Sequence, residues 1–189
     1  MVTRVEATEQ TRCRVLQAAY ELWLAQTYDA VSLEKVAARA GVTKQTLLRH
    51  FGSKEQLAIA VVDFQRPREE AARAADPGDV KRAITKLVER YEKMGDANLR
   101  MLELERRVPA IDYLLKQSRE SHRRWVERVF GPFLPARRGA SRERRVIAFY
   151  AVTEVMVWKL LRRDFRLSRK ETQAVLLELV SGLTNEETP

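Results

Sequence analysis

The chain has 189 residues, enough for one helical domain or two small ones sharing a helix, and 45% of them are hydrophobic, an ordinary share for a globule. Its formal net charge of +9 favours a polyanionic partner, yet residues 1–66 hold nine Lys and Arg against seven Asp and Glu, so most of the excess lies further along. No apolar run approaches bilayer length, the start Met1-Val2-Thr3-Arg4 lacks a signal-peptide core, and the single Cys13 cannot form an internal disulfide; a cytoplasmic chain with no membrane partner is expected.

Val15, Ala18, Ala19, Leu22 and Trp23 recur at helical spacing and predict a first amphipathic helix. Ser32 is a good N-cap for a second, with Glu34 in its first turn and Leu33, Val36, Ala37 and Ala40 on one stripe. Gly41 ends that helix, because glycine tolerates the left-handed conformation just past a helix end. Thr43 can cap a third helix, whose inward pair is Leu47 and Phe51. Lys44, Gln45, Thr46, Arg49 and His50 are left on its outer faces. Lys and Arg can contact phosphates or guanine acceptors, Gln can pair with adenine, and Thr can take a phosphate oxygen or a thymine methyl. Two short helices joined by Gly41-Val42-Thr43 match the helix-turn-helix unit that places its second helix in the major groove. Gly52 then stops the third helix, and Ser53 with Gln56 offers a capping box for a fourth, with Lys54 in its first turn.

The run SLEKVAARAGVTKQTLLRHFGSKEQL from Ser32 to Leu57 resembles the N-terminal DNA-binding region of the TetR family of bacterial transcriptional regulators. The resemblance covers about the first third of the chain. It implies an all-α homodimer in which each subunit has a three-helix head with the helix-turn-helix, residues 1–52. A helical body, residues 53–189, would bind a small-molecule effector and dimerise, its helix from 53 linking the two. About nine helices are expected in all. It also implies a double-stranded, palindromic DNA operator as partner, repression as the default role, and release from the operator by the effector. At matching positions, Ser32, Thr43, Thr46, His50 and Lys54 would contact phosphates, while Lys44, Gln45 and Arg49 would lie nearest the bases. Three departures stand out. Gln45 replaces a frequent glycine and could add a base contact, and Leu48 replaces a usual phosphate-contacting tyrosine and reads a thymine methyl, packs, or is idle. A glycine usual before the first cap is missing from Thr27-Tyr28-Asp29.

Past the head, Arg66-Pro67 should kink or end the fourth helix, and Asp76-Pro77 reads as a start, with Asp76 as cap. Gly95-Asp96 is expected to separate a helix carrying Ile84, Leu87, Val88 and Tyr91 from one carrying Leu99, Met101, Leu102 and Leu104. Val108-Pro109 opens another towards Trp125, Val126 and Val129, and Gly131-Pro132, Pro135 and Gly139 mark a long loop. The arginines from Arg119 to Arg145 read as a solvated, partly salt-bridged surface rather than a second nucleic-acid site.

From Val146 to Leu161 the sequence is apolar on nearly every side, so this helix should be buried on two faces. Ser168 and Glu171 form another capping box, ahead of a stripe of Val175, Leu176, Leu179, Val180 and Leu183. Paired with their symmetry mates, two such helices would make an isologous four-helix interface, with Val152, Val155, Met156, Lys159 and Leu160 contributed by the first. The alternative is that the first is the central core helix of a monomer. Candidate effector-pocket residues are Tyr91, Met94, Met101, Leu102, Tyr113, Trp125, Phe149 and Trp158, each of which could equally be plain core. Glu154 could meet a cationic ligand or pair with an arginine across the dimer.

The rival reading is an all-helical enzyme or adaptor. His50 and His122 are the only histidines, the seven glycines form no phosphate-cradling loop, and Glu103 and Glu105 lie on different helix faces. No catalytic residue, metal or cofactor is therefore expected.

Overall fold

A computed structural model describes residues 4–185, and among them every regular element is helical. The elements are α1 (Arg4–Ala25), α2 (Leu33–Ala40), α3 (Lys44–Phe51), α4 (Lys54–Ala72), α5 (Val80–Leu102) and α6 (Pro109–Val129), followed by a 3-10 turn at Gly131–Phe133. Next come α7 (Ala140–Val152), α8 (Val155–Lys159), a π turn at Leu160–Asp164, and α9 (Arg169–Asn185). The all-helical expectation therefore holds. No helix is long and apolar enough to cross a membrane among the described residues.

The chain forms two compact units, and α4, α5 and α6 contribute residues to both. One unit comprises the chain through Glu69 together with Arg100–Leu115; the other comprises Glu70–Leu99 and the chain from Lys116. In the first, Val15 and Ala19 of α1, Val36 and Ala37 of α2, Leu47 and Phe51 of α3, and Leu57 and Val61 of α4 form one core. Burying that stripe on each short helix is what holds it, since helices of eight residues are marginal alone. A second cluster in the same unit gathers Tyr28, Ala58, Leu104, Ile111, Leu114 and Leu115.

The other unit is centred on aromatic side chains. Phe130 and Phe149 stack with centroids 4.4 Å apart, and Trp125 meets Phe130 edge-on at 5.7 Å. In the same unit Ile84, Leu87 and Val88 of α5, Leu176 and Val180 of α9, and Trp158 of α8 are fully or almost fully buried.

Four boundaries differ from the sequence expectations. Pro67 sits inside α4, which continues to Ala72. Pro67 and Asp63, whose carbonyl loses its usual donor, are both exposed, so water can supply the missing bond. Helix α5 starts three residues after Pro77, with the Asp79 carboxylate accepting from the Arg82 amide at 3.0 Å, so Asp79 rather than Asp76 is the cap.

Gly95 does not end a helix; α5 runs through it to Leu102. A β-carbon built there would lie 2.6 Å from Cη2 and 2.8 Å from Cε3 of Trp158. Glycine is present because an indole packs against the helix backbone, not because the chain turns.

The apolar run Val146–Leu161 is not one helix. It breaks at Thr153 and Glu154, the latter in extended conformation with its side chain capping the Met156 amide at 2.7 Å. The buried Thr153 hydroxyl donates to Phe149 O at 2.7 Å and lies 3.0 Å from Nε2 of His122, while Tyr91 donates to Thr153 O at 2.8 Å. These bonds satisfy backbone and side-chain groups that the break would otherwise orphan. Glu154 thus serves as a helix cap within its own chain.

Candidate nucleic-acid interface

The α2–α3 segment is fixed at both ends by its own chemistry. The Ser32 hydroxyl accepts from the Lys35 amide at 3.3 Å and starts α2. At the other end Gly41 has φ 67°, its amide donates to Ala38 O at 3.2 Å, and the Val42 amide donates to Ala37 O at 3.0 Å. This paired pattern is a Schellman ending, and it requires a residue that accepts positive φ. The Thr43 hydroxyl then accepts from the Thr46 amide at 3.1 Å to cap α3.

Leu47 and Phe51 anchor α3, being 0% and 7% exposed. The Arg12 guanidinium covers the Phe51 ring at 4.9 Å. With that face fixed, Thr43, Lys44, Gln45 and Arg49 are exposed, and Thr46, Leu48 and His50 are half-buried. The expected outer residues therefore share the solvent side of one short helix. The Thr43 hydroxyl donates to the Thr46 oxygen at 3.0 Å, which leaves the Thr46 hydrogen available to an outside acceptor such as a phosphate oxygen. Helix α3 has no acidic residue in its first turn, so its positive N-terminal end is unneutralised by its own sequence.

Charged neighbours adjust this face in ways the sequence did not reveal. Lys44 is ion-paired to Glu34 of α2 at 2.5 Å, both half-exposed, and Arg39 of α2 is ion-paired to Glu21 of α1. The hydrogen bond from Lys44 holds the Glu34 carboxyl down at about 2; its own amide and the Ser32 hydroxyl add to the effect. Lys54 at the start of α4 places its ammonium 4.2 Å above the Tyr28 ring, and burial lowers its pKa. Ser53 caps α4 through the Gln56 amide at 3.2 Å. The reciprocal half of the expected box is replaced, since the Ser53 amide donates to Phe51 O at 2.9 Å.

The expected body residues are distributed unevenly. Of the candidate pocket set, Met101, Leu102 and Tyr113 belong to the first unit, and Tyr113 is half exposed. Tyr91, Met94, Trp125, Phe149 and Trp158 belong to the second, where all but the half-buried Met94 are core. Of the dimer set, Met156, Leu160 and Leu179 are 51%, 44% and 43% exposed, and Val152, Lys159, Val175 and Leu183 are half-buried. Val155, Leu176 and Val180 are buried within their own unit.

The sequence model of the bacterial regulatory proteins of the tetR family matches residues 15–61, which are α1 through the first part of α4. The chain is 36% identical over 59 residues to the regulator TcmR of Streptomyces glaucescens, covering 31% of this chain and 26% of that protein. It is 39% identical over 54 residues to the transcriptional activator FasR of Mycolicibacterium smegmatis, covering 29% and 25%. The matched segment thus spans about a quarter of the length of these curated relatives.

Solved structures share the fold far beyond it. A tetR-family regulator from Streptomyces coelicolor superposes with a TM-score of 0.75 at 17% identity, over 93% of this chain and 80% of that one. NalD, the secondary repressor of the MexAB-OprM multidrug efflux pump in Pseudomonas aeruginosa, gives 0.65 at 20% identity over 96% and 100%. SmeT in complex with triclosan gives 0.63 at 17% identity over 95% and 99%. TcmR and the Streptomyces coelicolor protein are transcriptional regulators, FasR is an activator and NalD is a repressor. Residues 15–61 are thus similar to the tetR-family regulators, and the all-helical chain has the fold of solved TetR-family regulators.

Proposed function

We propose that the chain is a homodimeric, ligand-responsive transcriptional repressor that reads a palindromic operator with α3. The observation that carries this reading is the division of α3: Leu47 and Phe51 are locked in the head's core while Lys44, Gln45 and Arg49 face solvent with Thr43 at the capped end. In this reading Lys44, Gln45 and Arg49 meet base edges, and Ser32, Thr43, Thr46, His50 and Lys54 meet phosphates. Leu48, half-buried on the same helix, contacts a thymine methyl, packs or is idle in this reading. Residues 1–52 bind DNA, and residues 53–189 bind the effector and dimerise.

The exposed Met156, Leu160 and Leu179 support pairing of two subunits through the α8–α9 region, because exposed large apolar side chains mark contact surfaces. Two heads fixed in this way would enter successive major grooves roughly 34–36 Å apart. An effector that binds better to another subunit spacing lowers operator affinity by that preference. NalD is a repressor and SmeT binds triclosan, which supports repression and a small-molecule effector here. The protein would act in the cytoplasm, where its DNA is.

The test is a gel shift with DNA from upstream of the chain's own gene, combined with light scattering of the complex. Two protomers per duplex and binding that weakens steeply with salt are expected. A lone protomer that shifts no duplex from its genome would end this reading.

A further inference from the structure

Lys44 stands first in α3, on the face proposed to read DNA, yet its ammonium is not free. It is held by Glu34 on the neighbouring helix at 2.5 Å. That carboxylate is itself anchored by the Ser32 hydroxyl and its own amide at the start of α2, so it stays ionised in any working buffer. Arg49, further along the same face, makes no ion pair among the described residues. The two cations of the reading face are therefore not equivalent.

We propose that Glu34 is a specificity-determining residue that withholds Lys44 from DNA phosphates, so that Lys44 contributes to binding only where base acceptors replace its carboxylate partner. This rests on the reading of α3 as the DNA-reading helix. A lysine that leaves an internal carboxylate for a phosphate exchanges one anion for another. It also leaves Glu34 uncompensated beside the polyanion. On arbitrary sequence the exchange gives no net gain. At a base step whose acceptors face the ammonium it gains contacts that a phosphate alone does not provide. Attraction to wrong sequences is thereby reduced without loss at the right one, a repulsive element serving selectivity.

The experiment uses the full-length chain and a labelled mixed-sequence duplex about three helical turns long, with binding read by fluorescence anisotropy from about 50 to 200 mM salt. Wild type, Glu34→Gln, Lys44→Ala and the double variant form a cycle, with Arg49→Ala alongside. Glu34→Gln should bind this duplex at least about threefold more tightly, with a log–log salt slope steeper by about 1.8, the signature of one added phosphate contact from each of the two subunits. Lys44→Ala should bind it within about twofold of wild type, and adding Lys44→Ala to Glu34→Gln should abolish the gain.

A gain that persists undiminished without Lys44 would overturn the proposal, because general charge removal would then explain it. So would a Lys44→Ala loss as large as that of Arg49→Ala. Arg49→Ala leaving unchanged the preference for a selected over a scrambled duplex would instead remove the reading-helix assignment, and the role of Glu34 with it.

Discussion

Gly95→Ala isolates the packing that carries α5 past its glycine. In a helix interior alanine is favoured over glycine by about 1 kcal/mol, so propensity alone predicts a more stable protein. The added carbon, however, would meet three atoms of the Trp158 ring inside normal contact distance. The indole cannot yield cheaply. It is fully buried, its Nε1 donates to Glu92 at 3.0 Å, the Tyr91 ring lies against it with centroids 5.9 Å apart, and the Arg163 guanidinium covers it at 4.6 Å. Overpacking of a filled core costs about 1–3 kcal/mol, and loosening a hydrogen bond to a charged group costs about 1.5–3. Against the propensity gain, the net loss should be about 1.5–5 kcal/mol. For a chain of this size that lowers Tm by about 3–20 °C. Thermal unfolding followed by circular dichroism reads this directly. Gly182→Ala in α9, where a β-carbon meets nothing within 4 Å, is the counter-case and should gain up to about 1 kcal/mol. A Gly95→Ala protein that melts at or above wild type would refute the reasoning.

Two further outcomes follow from local chemistry. Thr43→Ala removes the α3 cap and should cost about 1 kcal/mol in urea unfolding, with Thr43→Ser recovering most of it. His122 is buried against Trp125 and Tyr150, and that burial, with Arg73 and Arg90 nearby, pushes its imidazole down to about 3. Its folded pKa is thus below the unfolded value near 6.5, so the unfolded state takes up the proton first and stability falls as pH drops below about 6.5. His122→Gln should flatten the stability profile between about pH 6.5 and pH 5 by up to about 1.4 kcal/mol per unit. A slope unchanged by the substitution would show that this imidazole is not held neutral.

The head was legible because its determinants are local. Ser32, Gly41 and Thr43 act within five residues of themselves, and Leu47 and Phe51 are one turn apart, so caps and stripe can be read along the chain. The body was misread where distant partners decide. Gly95 reads as a breaker until Trp158 is beside it, 63 positions on. The run Val146–Leu161 reads as one helix until His122 and Tyr91 are seen bonding at Thr153. On the reading face, Lys44 was visible as a cation. Its partner Glu34 was visible only as a favourable first-turn acid, since nothing in the spacing across the turn brings the two together.

The most direct measurement is the affinity of wild type, Gln45→Ala and Arg49→Ala for a duplex selected from the source genome and for its scrambled counterpart, at one fixed salt concentration. Wild type should favour the selected duplex by about a thousandfold or more. Each substitution should weaken that preference by about 1–3 kcal/mol per operator half-site while leaving the subunit assembly unchanged. Equal affinity for both duplexes, or a preference that neither substitution alters, would contradict the assignment of α3 as the element that reads DNA.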